Sequence, residues 1–289
     1  MKPTYRILQK HIAKNGVGGS SHPLLLELFS KASNVLDAKE RETLNSKVEG
    51  KSYFAFGDKN YRSRPIESSL FSDSSKDTAS TVKEILAGNR ANFTSEEITS
   101  NLYTFAITLC AAQDVSSKGD RKTQGTMFEY VCAAVMRSAL GITPTRKLEI
   151  LNLDLKGDLP TDYVFDLGAE QPKFHFPVKT STRERVIQVW AHQRVLDGVY
   201  GVGRFLATPF ILTETKLNNK TNEVIEICLP WQWRLYQMHI ATIWNFCFFD
   251  APKSYLALDN VFPRVPVSTI GDFLVEGGRL DGLLETLKP

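Results

Sequence analysis

Residues 159–198 read LPTDYVFDLGAEQPKFHFPVKTSTRERVIQVWAHQRVLDG. Alternating apolar and polar residues predict a strand, a short turn, a second strand ending at Lys179, and then a basic helix. A hairpin closed over Gly168–Lys173 sets Asp162 opposite Lys179 and Asp166 opposite His175. The same alternation sends Asp162, Asp166, His175 and Lys179 to one face. Tyr163, Phe165, Leu167, Phe174, Phe176 and Val178 go to the other. A carboxylate and an ammonium meeting at the open end of such a hairpin can hold a metal and a water beside a phosphodiester. On the strand pattern alone, a half-buried hairpin with a solvated polar face is the commoner arrangement. The residues just beyond Lys179 tip the balance.

Immediately after it comes KTSTRER, with Arg183, Glu184 and Arg185 four, five and six residues past the lysine. Pro160, Asp162, a hydrophobic strand and a strand ending in Lys179 resemble the core of the PD-(D/E)XK nucleases. With the triplet added, the segment resembles the branch of type II restriction endonucleases that read CC/GG half-sites, the CCGG, CCNGG and CCWGG readers such as the EcoRII-like enzymes. The resemblance spans about residues 124–198. It implies an α/β fold with a restriction-endonuclease-like core, a central mixed β-sheet flanked by α-helices. It also implies Mg2+, double-stranded DNA as partner, a homodimer matched to a palindromic target, and 5′-phosphate products of a restriction–modification enzyme.

The resemblance assigns roles residue by residue. Asp162 would bind the cation and Lys179 would orient the attacking water. Arg183 or Arg185 can donate two parallel bonds to guanine while Glu184 accepts from cytosine. Thr180, Ser181 and Thr182 can cap the following helix and present its N-terminus to a groove or phosphate, and Gln188 shares a helical face with Arg185 and His192. Taken alone, a charged helix start fits the triplet as a solvated face.

Upstream, TQGTMFEYVCAAVMRSALG reads as a helix closed by Gly141, with Phe128, Val131, Cys132, Val135 and Ala139 at helical spacing. Glu129 sits beside that stripe, where related nucleases often place a glutamate near the metal. It is read either as a ligand or as a surface residue favoured by the helix dipole.

Two positions depart from the family. The acid two residues before the lysine is Pro177, and the position thirteen residues after it, where this branch commonly carries the displaced acid, is His192. Neutral imidazole is a poor partner for magnesium. The catalytic set read from the sequence is therefore Asp162, Lys179, Glu129 and His192, with Asp162, Glu129 and Asp166 as metal ligands. The departures keep two alternatives open: a weak or inactive DNA-binding protein of the same fold, and a structure-selective repair nuclease.

Composition is that of an ordinary globular chain: 289 residues, 42% hydrophobic and 23% charged. A net charge of +3 gives no overall basic coat, so nucleic-acid binding must come from local patches such as Lys118–Lys122 or Arg183–Arg194. Cys110, Cys132, Cys228 and Cys247 show no CxxC spacing, which points to free thiols in a reducing cytoplasm and away from zinc. The polar start and the lack of any uncharged apolar run near the ~20 residues of a membrane span predict neither signal peptide nor membrane partner.

The rest of the chain reads as a single endonuclease domain: 1–115 mainly helical, 116–250 the catalytic core, 251–289 a C-terminal tail. Ser21–Leu36 and Lys39–Val48 suggest two short helices, and Lys51–Pro65 a loop; the resemblance to CCNGG readers, which flip nucleotides, implies Tyr53, Phe54, Phe56 and Tyr61 as platforms for flipped bases. Anchoring of that loop onto the core is the competing and commoner role for such aromatics. The Ser/Asp/Lys-rich stretch 68–81 suggests an exposed connection. Thr94 and Glu97 form a capping-box pattern. After Gly198 two strands around a turn at Asn218–Lys220 extend the central sheet. A long apolar helix then carries Trp233, Tyr236, Ile240 and Trp244 on one stripe.

Overall fold

From the N-terminus, helices α1 (Lys2–Asn15) and α2 (His22–Asp37) lead into strands β1 (Arg41–Ser46), β2 (Tyr53–Asp58), β3 (Tyr61–Arg62) and β4 (Ile66–Glu67). Helices α3 (Ser75–Leu86), α4 (Ser95–Ser116) and α5 (Arg121–Leu140) follow. Next come β5 (Thr145–Asn152), β6 (Leu155–Asp166), β7 (Lys173–Phe176), β8 (Val178–Lys179) and α6 (Ile187–Tyr200). The remainder is β9 (Phe205–Ala207), β10 (Phe210–Thr213), β11 (Thr215–Asn218), β12 (Glu223–Glu226), α7 (Pro230–His239), β13 (Phe246–Asp250), α8 (Lys253–Leu256), β14 (Val267–Thr269), α9 (Ile270–Leu274) and α10 (Arg279–Thr286). The computed structural model describes residues 1–58, 61–117, 119–152, 155–182, 186–218, 220–227 and 230–287. Arg183, Glu184 and Arg185 lie outside the described residues, as do Lys118 and Cys228.

Helix α4 is the axis of the core. Thr94 accepts from the Glu97 N–H while Glu97 accepts from the Thr94 N–H, so the capping box forms. Beyond that turn the helix is buried on nearly all sides, from Ile98 to Val115, as expected of a helix apolar all round. Gly271, in the first turn of α9, packs so close that an added Cβ would sit 1.8 Å from the Ser95 carbonyl oxygen. No described helix is long and apolar enough to cross a membrane. Cys110, Cys132 and Cys247 are free and buried.

Two prolines shape the sheet. Strands β5, β6 and β7 form an antiparallel meander, with β9 parallel to β7; β8, β10, β13 and β14 run parallel in the order β14-β13-β10-β8. Pro177 separates β7 from β8, and Thr208–Pro209 separates β9 from β10. The register is the same on both sides of the break, His175 facing Ala207 and Val178 facing Phe210. Backbone bonds from Thr208 N to His175 O and from Phe210 N to Pro177 O, both 2.8 Å, carry the ladder across it. The result is one mixed sheet bent at two prolines. Neither proline has an N–H to offer the ladder.

Several expectations change. Lys39–Val48 carries β1, not a helix: Leu44 is buried, and β1 pairs with β2 and β12, so tertiary pairing overrides a helix-favouring composition. The 51–65 segment is not a loop but holds β2 and β3, and the 68–81 connection holds the start of α3. The apolar run after 230 divides into α7 and β13. All five residues of β13 are buried between β10 and β14, and a continuous apolar strand of that kind cannot be told from a helix by periodicity. Within residues 251–287, β14 joins the parallel sheet and α9 enters the core. Strands β11 and β12 pair with each other, and β12 pairs with β1, in a sheet separate from the central one, which they do not extend.

Candidate active site

The hairpin forms two residues out of the expected register. Val164 faces His175 and Asp166 faces Lys173. A slip of two leaves every side chain on its expected face, but it moves the partners. Asp166 pairs with Lys173 at 2.6 Å and accepts from the Gly168 N–H at the turn. Four strand residues, about 13 Å, separate it from Asp162, so Asp166 does not share a cation site with Asp162 and is withdrawn as a metal ligand.

Asp162 lies one step beyond the Tyr163–Phe176 pair, where the opposing residue is Pro177. Its Oδ2 takes the next available N–H, that of Val178, at 2.7 Å, and also accepts from Lys179 Nζ at 3.1 Å. Pro177, with no N–H to offer, thus leaves a gap that the Asp162 carboxylate fills. Lys179 stands at the carboxyl end of β8, still partly exposed at 34% of its side chain.

Glu129, from α5, completes the acidic side. Burial first, and then the neighbouring Asp162 carboxylate, raise its pKa above the ordinary range, while Arg146 and Lys179 oppose the shift. Arg146 on β5 holds Glu129 at 2.8 Å, with its guanidinium 5.1 Å from the Tyr163 ring centroid. Nothing in the sequence flagged Arg146; only the β5–β6 pairing brings it here.

His192, on α6, is half-buried. Burial and then the Lys179 charge lower its pKa, keeping it neutral. Its ring centroid lies 6.2 Å from that of His175. His175 is fully buried, and among the described residues neither of its ring nitrogens has a hydrogen-bond partner. Burial, then His192, push its pKa down to about 3. The structure therefore brings Glu129, Asp162, Lys179 and His192 together, with His175 and Arg146 added.

The donor chemistry suits a hard cation. Among the described residues no group of three or more His, Cys, Asp or Glu side chains forms a metal cage. Magnesium does not require one, because it is commonly held by one or two carboxylates plus phosphate oxygens and waters. Asp162 and Glu129, whose charges act on each other, would supply that set.

The proposed DNA contacts fall less evenly. Gln188 is exposed on the first turn of α6. Thr182 is not exposed: it is buried, and its N–H donates to Glu214. Nor do Thr180–Thr182 cap α6, whose N-cap is Val186 without a side-chain bond. The base-stacking role is corrected as well. Tyr53, Phe54 and Phe56 are buried at 1%, 9% and 3% exposure, and Tyr61 packs against the same core. Phe54 and Phe56 meet edge to face at 5.5 Å, so neither of these two rings is free for a base.

No family model matches the chain, and no curated protein matches it. Among solved structures it is similar to the crystal structure of the type IIP restriction endonuclease Kpn2I, with a TM-score of 0.79 and 24% identity over 94% of each chain. At that identity the likeness shows the fold: a restriction-endonuclease-like α/β architecture.

Proposed function

We propose that this chain is a sequence-specific double-strand DNA endonuclease of a restriction–modification system, dependent on Mg2+. The observation that carries the reading is Asp162, bound by both the Val178 N–H and Lys179 Nζ, beside Glu129 in a fold shared with a type IIP restriction endonuclease. Held by Asp162 and Glu129, Mg2+ would neutralise charge on the scissile phosphate. Lys179 orients the attacking water and steadies the developing negative charge. Arg146, already paired with Glu129, adds a second cation on the phosphate side. The products are a 5′-phosphate and a 3′-hydroxyl.

Target choice rests on the sequence Arg183-Glu184-Arg185, which matches CC/GG readers. A palindromic target then calls for a homodimer, each copy reading one half-site. Digestion of a fully sequenced, unmethylated phage genome with Mg2+, followed by end-mapping, tests the whole reading. Discrete fragments sharing one short palindrome are expected. A smear, or no cutting of any unmethylated DNA, would rule it out.

Pro177 and His192, standing where carboxylates are customary, favour one second reading: a DNA-binding protein of this fold with little or no catalysis. Specific gel shifts without cleavage in magnesium, manganese and calcium would select it.

A further inference from the structure

Arg146 stands at a fault in the β5–β6 pairing. Between the pairs Thr145–Val164 and Lys147–Pro160, β5 supplies Arg146 alone, while β6 supplies Thr161, Asp162 and Tyr163. Bulges of this kind re-aim side chains and recur beside active sites. This one sets Arg146 and Asp162 at the same point of the sheet, one on each strand. From there the Arg146 guanidinium reaches Glu129 on α5 at 2.8 Å and lies over the Tyr163 ring.

The pairing leaves the site neutralised by its own residues. Asp162 is paired with Lys179 at 3.1 Å, and Glu129 with Arg146. Among the described residues, each carboxylate offered to a cation is thus matched by a positive side chain. His175 and His192 add no charge, since burial keeps both neutral. A divalent ion entering here is drawn by the acids and repelled by the bases, so the repulsion offsets much of the attraction. A bound phosphodiester shifts that balance by bringing a further negative charge. Arg146 is the base free to answer it: its side chain is half-exposed, whereas its partner Glu129 is mostly covered. A guanidinium also matches phosphate oxygens with two parallel bonds.

We propose that Arg146 is a counter-ion switch for the cation site: it neutralises Glu129 in the free protein and transfers to a phosphate of bound DNA, releasing Glu129 to Mg2+. This rests on the endonuclease reading. Cation and DNA then strengthen each other's binding by one common factor, and the site loads its cation when substrate is in place.

The test measures Mn2+ binding by calorimetry in wild type, Arg146→Met and Arg146→Lys, at a pH well above the carboxylate range. Methionine keeps much of the length without the charge, and lysine keeps the charge. In the free proteins, Arg146→Met should bind Mn2+ about tenfold or more tightly than wild type, with Arg146→Lys within about threefold of it. A misfolded fraction lowers the stoichiometry and not the affinity, and an arginine with a merely structural role would weaken binding when removed. The titration is repeated on the mapped target duplex with a methylene in place of the bridging 3′ oxygen of the scissile linkage, which keeps the negative charge and cannot be cut. There the gap between wild type and Arg146→Met should close to within about threefold. Equal affinities in the free proteins, a weaker Met variant, or a gap that persists unchanged on DNA would overturn the proposal. A wild type that makes no discrete fragments would instead overturn the endonuclease reading itself.

Discussion

Lys179 donates to Asp162 at 3.1 Å across the point where β6 and β7 stop pairing. The contact exists because Pro177 interrupts the ladder and leaves a carboxylate, not a carbonyl, to receive the next backbone N–H.

Replacing Lys179 with alanine should remove the group that orients water while leaving the DNA-contacting surface intact. Single-turnover cleavage is expected to fall about 10²-fold or more, with target binding in gel shifts unchanged. A variant cutting within about tenfold of wild type would remove Lys179 from the chemistry.

Cation binding should follow the two carboxylates. Asp162→Asn and Glu129→Gln are each expected to weaken Mn2+ binding in calorimetry by about tenfold or more. Chelation with EDTA should stop cleavage and excess Mg2+ restore it. Because burial and Asp162 raise the Glu129 pKa, cation affinity should increase with pH through the acidic range. If the Gln variant binds as wild type does, Glu129 is only Arg146's partner.

His175 gives a stability signature. Its folded pKa is depressed from 6.5 to about 3, mainly by burial. Between those values the unfolded chain takes up a proton that the folded chain refuses. The contribution to stability is therefore complete above pH 6.5 and is lost as pH falls toward 3. Urea unfolding should show a loss approaching about 1.4 kcal/mol per pH unit from this residue. His175→Leu should flatten that slope between pH 6.5 and 4.5. Parallel slopes for the two proteins would mean the imidazole is not buried neutral.

Phe56 separates core packing from base stacking. It is 3% exposed and packs against Phe54 and Phe71, with Arg41 over its ring at 5.2 Å. Phe56→Ala should cost about 3–5 kcal/mol of stability in denaturant unfolding. At temperatures where the variant is folded, its DNA affinity should match wild type. An intact Tm with weakened DNA binding would restore the stacking role.

Much of the site was legible before any fold. Alternation put Asp162, His175 and Lys179 on one face, and a two-residue slip of register left that face unchanged. The Thr94–Glu97 box and the Gly141 stop were likewise readable, because caps and turns are fixed by neighbours a few residues away. The sequence could not reveal that Asp166 would be taken by Lys173, since both registers satisfy the same alternation.

What the sequence alone determined is local: which residues alternate, where helices are capped, and that a lysine precedes a basic–acidic–basic triplet by four residues. Only the tertiary structure decided the rest. It made β1 a strand against its composition, split the apolar run into α7 and β13, buried His175, and brought Arg146 to Glu129. Those outcomes depend on partners far away in the chain, and local propensities of a few tenths of a kcal/mol per residue are outweighed by burial of whole side chains.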